Sequence, residues 1–87
     1  MTIKASDDVV FRDLSGEAVL LNLATGIYFG LNETGTRMWN LLLETGDKEK
    51  TVAKLKEEYE AEEPRLREDL DSLVRQLTEK GLLKGEK

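Results

Sequence analysis

Cysteine and histidine are both absent from these 87 residues. Without them there is no disulfide, no thiolate nucleophile and no imidazole base, and the usual zinc ligands are missing. Ser6, Ser15 and Ser72 have no base to activate them, so no catalytic residue is expected. Aromatic residues are scarce and there is one proline, Pro64. No apolar run approaches the roughly 20 residues of a membrane span, and the first eight residues lack the apolar stretch of a signal peptide. The expected location is the cytoplasm, with no membrane partner. The glutamates at positions 57, 58, 60, 62 and 63 lack the loop spacing and glycine of a calcium site, and no metal or cofactor is expected. Basic charge is also in deficit. The net charge of -5 has the wrong sign for a duplex binder, whose affinity comes largely from neutralising phosphates.

What remains fits one small soluble domain over residues 1–87. Residues 1–43 carry three basic and five acidic side chains, against ten and thirteen in 44–87. The first half therefore reads as buried and the second as solvated helices. Val9-Val10-Phe11 is a short β-branched and aromatic run, and Ser15-Gly16 marks a turn. Ala18 to Leu23 forms a second strand. Gly26 suits the left-handed position that closes a hairpin before a third strand, Ile27-Tyr28-Phe29. This is an antiparallel meander.

The periodicity then changes. Asn32 or Thr34 can cap a helix that runs through Met38-Trp39 and Leu41-Leu42-Leu43 to Gly46, with Trp39 in the core. Thr51 is the expected cap of a second helix that presents Val52, Leu55 and Tyr59. Pro64 opens the third, whose stripe is Leu66, Leu70, Leu73, Val74 and Leu77. Gly81 ends it and lets Leu82-Leu83 fold back. The order β-β-β-α-α-α is an α+β domain of winged-helix type.

The two borders of such a meander differ. Lys4, Asp7, Asp8, Arg12 and Asp13 surround the first strand and deter pairing. The third strand has no charge and no proline. If the third helix lies beside it with a gap between, an extended peptide can pair with the strand and put alternate side chains against the Leu66–Leu77 stripe. The other possibility is that Tyr28 and Phe29 simply pack against that helix. A winged-helix DNA binder is the rival of another class. Its recognition helix should be basic, whereas residues 64–80 hold four basic and four acidic side chains.

Three segments carry a family resemblance: Glu17–Leu23, Thr25-Gly26-Ile27-Tyr28-Phe29, and Leu31-Asn32-Glu33-Thr34-Gly35-Thr36-Arg37-Met38-Trp39. With Asp69–Leu77 and Gly81-Leu82-Leu83, they resemble the PqqD-like family over residues 8–83. That family is also called the RiPP recognition element; it binds leader peptides of ribosomally made, post-translationally modified peptides. The resemblance implies a non-catalytic adaptor whose leader peptide adds as a strand to the third strand, against the third helix. Carried over by position, the peptide-binding residues are Ile27, Tyr28 and Phe29 on the strand. On the helix they are Leu66, Leu70, Leu73 and Val74, with Arg67 and Asp69 as polar contacts. The implied partners are a precursor's leader region and a leader peptidase or other modifying enzyme. The segment Asn22–Phe29 lacks a proline and the first helix lacks a cysteine, both of which tend to occur in the quinone-pathway proteins. It looks more like the lasso-peptide type. The alternative is a chaperone presenting a precursor to a radical SAM enzyme, in pyrroloquinoline quinone synthesis or another modified-peptide pathway.

Overall fold

The computed structural model describes residues 2–86. Strands β1 (Thr2–Ala5), β2 (Val9–Leu14), β3 (Glu17–Asn22) and β4 (Tyr28–Gly30) precede helices α1 (Glu33–Thr45), α2 (Lys48–Glu58) and α3 (Glu63–Glu79). Strand β5 (Leu83–Glu86) follows. The expected meander is the antiparallel sheet β2-β3-β4, and the expected third strand is β4. Ser15 and Gly16 join β2 to β3 with φ of 60° and 92°, both positive as a type I′ turn requires. That turn twists with the strands and fixes the register Leu14↔Glu17. Gly26 takes φ 78° ahead of β4.

A second sheet pairs β1 with β5, Ile3 opposite Gly85. The sequence reading has neither strand, because each is four residues long and charged. The drive is the burial of Ile3, Leu82 and Leu83 in the core. Folding back of Leu82 and Leu83 is set by a Schellman ending on α3. The Leu82 N–H donates to the Leu77 carbonyl and the Gly81 N–H to that of Thr78, with Gly81 at φ 71°.

Helix α1 is the central element, burying Met38, Trp39, Leu41 and Leu42. Phe11 meets Trp39 edge to face at 5.5 Å. The Asn32 side chain accepts from the Gly35 N–H at 2.8 Å and caps α1. Thr51 does not cap α2. Asp47 does, accepting from Glu49 N–H at 2.8 Å. Thr51 is instead buried one turn in, donating to the Asp47 carbonyl at 2.8 Å. An aspartate accepts more strongly than a hydroxyl, and Gly46, which ends α1, places Asp47 directly at the next helix. None of the described helices is long and apolar enough to cross a membrane.

Candidate functional site

The register of β4 decides which of its backbone groups are free. The Leu31 N–H donates to the Ala18 carbonyl and the Asn22 N–H to the Ile27 carbonyl, each at 2.8 Å. Antiparallel pairs alternate between bonded and non-bonded, so Leu20–Phe29, midway between these two, is a bonded pair. Phe29 therefore turns its N–H and C=O toward β3. Tyr28 and Gly30 turn theirs outward, where no described group meets them. The chain's own tail could have filled this border, but it pairs with β1. A Cβ on Gly30 would meet nothing within 4 Å.

Side chains alternate in step. Phe29 points inward and packs against the core while keeping part of its ring exposed. The Lys80 ammonium, at the end of α3, lies 5.8 Å from its ring centre. Tyr28 points to the opposite face of the sheet and is 73% exposed. Leu73 and Val74 on α3 are likewise half-buried against the core. Phe29 on β4 and Leu73 and Val74 on α3 are thus the apolar strip: half-buried side chains packed on one core, with the Lys80 end of α3 against Phe29.

Two polar side chains hold the strip in place. Asn22 is buried, and its Nδ2 donates to the Gly81 carbonyl at 2.9 Å while its Oδ1 accepts from the Ala24 N–H at 2.9 Å. The hairpin turn before β4 is thereby tied to the end of α3. Thr36, also buried, accepts from the Ala18 N–H at 2.8 Å and joins β3 to α1.

The residues singled out by sequence divide three ways. Ile27, Tyr28 and Phe29 lie on or next to β4, and Leu73 and Val74 are half-buried on α3. Leu66 and Leu70, 5% and 0% exposed, lie in the core and hold α3 in place. Arg67 faces α2, where the Glu49 carboxylate accepts its hydrogen bond and raises its pKa above the ordinary arginine value. Asp69 lines a cleft of about 380 Å³ between α3 and the start of α1, together with Ser72, Leu73 and Gln76. The sequence reading gives Ser72 and Gln76 no binding role, although with Asp69 they fall at i, i+3 and i+7 on one helix face. As the last residue of an apolar strand run, Asn22 gives no local signal of its tie to Gly81.

The outer face of the sheet carries Val10, Leu14, Val19 and Tyr28, all exposed, with Leu21 half-buried among them. Arg12, opposite Val19, lies on the same face, so the exposed apolar patch has a cation within it; a patch of this kind marks an interaction surface. Among the described residues no group of acidic side chains is arranged to hold a metal. Glu58 pairs with Arg37, and Glu63 with Lys56 and Arg67.

A model of the family described as coenzyme PQQ synthesis protein D (PqqD) matches residues 17–83. A solved structure described as TbiB1 in complex with the TbiA(beta) leader peptide is 42% identical. It superposes with a TM-score of 0.89, over 97% of this chain and 98% of that one. A second, lasso peptide synthetase B1 complexed with the leader peptide, is 25% identical with a TM-score of 0.87, over 97% and 99%. No curated protein matches significantly.

Proposed function

The chain belongs to the PqqD family, and we propose that it is a leader-peptide-binding adaptor of lasso-peptide type, acting as one domain over residues 1–87. The observation that carries this reading is the unpaired border of β4 together with the strip of Phe29, Leu73 and Val74. A leader segment laid antiparallel to β4 takes up the N–H and C=O groups of Tyr28 and Gly30. Its alternate side chains fall onto the strip. Because the edge is preformed, ordering costs fall mainly on the peptide, and submicromolar affinity is expected.

The adaptor has no chemistry of its own in this reading. It raises the concentration of the precursor at a partner enzyme, a leader peptidase or another modifying enzyme, in the cytoplasm. The apolar outer face of β2-β3-β4 suits that enzyme, because the leader strand and this face then form one continuous surface through Tyr28. The two solved relatives, each described with a leader peptide and one as a lasso peptide synthetase B1, favour the lasso pathway over quinone synthesis. Calorimetric titration with the leader of its own precursor tests the reading: one-to-one binding is expected, and no heat with a folded protein would reject it.

A further inference from the structure

The cleft beside Asp69 opens where β4 ends. Its floor is apolar, from Met38 and Leu73. Its rim is made of oxygen-bearing side chains: Thr34, Asp69, Ser72 and Gln76. Asp69 is the only charged residue in the lining. The positive end of α1 does not counter it, since the Asn32 side chain already caps the Gly35 N–H and Glu33 stands in the first turn. One Asp69 oxygen accepts from Arg65 at 3.2 Å across a turn of α3. Arg65 is largely in solvent, and such a pair is readily exchanged.

An apolar floor, an acceptor rim and a single carboxylate suit one kind of side chain, a cation on an aliphatic stem. Lysine and arginine both qualify, and arginine can bond the carboxylate with two N–H groups. Asn32, two residues past the end of β4, lines this cleft and also the neighbouring one that Gly30 lines, so the cleft lies on from the C-terminal end of the β4 edge. A peptide lying antiparallel to β4 enters from this end. We propose that the cleft is a specificity subsite for a basic residue at the N-terminal end of the leader's added strand, with Asp69 as its counter-ion. This rests on the leader-binding reading of the β4 edge and names one of the side chains that edge would select.

The test is a displayed library of random twelve-residue peptides, selected in parallel on the wild type, Asp69→Asn, Asp69→Lys and Asp71→Asn. Asp69 is exposed, so each variant should fold, as circular dichroism will verify. Clones are counter-screened on Gly30→Pro, which removes one outward N–H of β4. The expected result is a single position enriched about two- to fivefold in Lys or Arg on the wild type, the range of a partly exposed ion pair. The enrichment should vanish with Asp69→Asn, turn acidic with Asp69→Lys, and survive Asp71→Asn, whose carboxylate faces Lys48. Peptides that fail on Gly30→Pro yet show no such preference, or one indifferent to Asp69, would overturn the subsite and leave edge binding intact. A library without Gly30-sensitive binders would overturn both.

Discussion

The Asn22 side chain donates to the Gly81 carbonyl at 2.9 Å, so the turn that launches β4 and the last turn of α3 form one unit. The two elements that would wall the proposed site are thus tied by a buried amide as well as by the core packing of α3. A larger residue at Gly81 is strained at its φ of 71°, and its Cβ would stand 3.2 Å from the Asn22 Nδ2 and press on this bond.

Asn22→Ala leaves the Gly81 carbonyl and the Ala24 N–H without their partner. A buried group stripped of its hydrogen bond costs about 1–3 kcal/mol. Urea unfolding should show a loss of that size, and leader affinity should fall with it, since the spacing of the site relaxes. Affinity unchanged in the folded variant would show that the amide stabilises without positioning.

Gly30→Pro tests the edge without touching the core. Its N–H points away from β3, so no ladder bond is lost, and a Cβ there meets open space. Leader affinity should fall about tenfold or more, the loss of one main-chain bond plus the steric block of the ring. Gly30→Ala should bind like wild type. Isothermal titration separates the two.

Leu73→Gln is a cleaner probe of the strip than any change at Leu70. Leu70 is fully buried, and truncating such a leucine costs about 2–5 kcal/mol of stability before any ligand is considered. Leu73 is half-buried, so the variant should stay folded while leader affinity drops several-fold.

Substituting the outer face should separate capture from delivery. Val19→Lys and Leu14→Lys replace exposed side chains, and such changes usually shift stability by no more than about 0.5 kcal/mol. Leader binding should be unchanged, while leader removal by the partner enzyme slows. Equal loss of both functions would place the leader itself on this face.

Arg37 donates through both Nε and Nη2 to Glu58, joining α1 to the end of α2. The hydrogen bond from Arg37 holds the Glu58 carboxyl below the ordinary glutamate range. A depressed folded-state pKa stabilises the fold above the unfolded value of about 4.3, and the effect is lost as pH falls through the folded value. Glu58→Gln should therefore melt below wild type at pH 7 and converge with it in acid. A constant difference across the range would mean the pair's charge is irrelevant.

Much of this was legible in the sequence, for identifiable reasons. The three-strand meander follows from Ser15-Gly16 and Gly26, whose positive φ values are what those turns demand. The third helix is bracketed by Pro64 and Gly81, and its stripe has an unbroken helical period. The β1–β5 ribbon was not legible, because its strands are held by the burial of Ile3 and Leu83 from opposite ends of the chain. Local pattern also could not divide the stripe of α3. Leu66, Leu70, Leu73 and Val74 share one periodicity, and only the packing of α1 and α2 decides that the first two are core and the last two half-exposed. Arg67 and Asp69 sit two positions apart and diverge for the same reason: one reaches α2, the other the cleft.

The most direct measurement is amide hydrogen exchange at three consecutive residues of β4, with and without the leader peptide. Tyr28 and Gly30 should exchange fast in the free protein and become strongly protected in the complex, while Phe29, already bonded to β3, changes little. Leader binding at full affinity with no new protection at Tyr28 and Gly30 would contradict strand addition at β4.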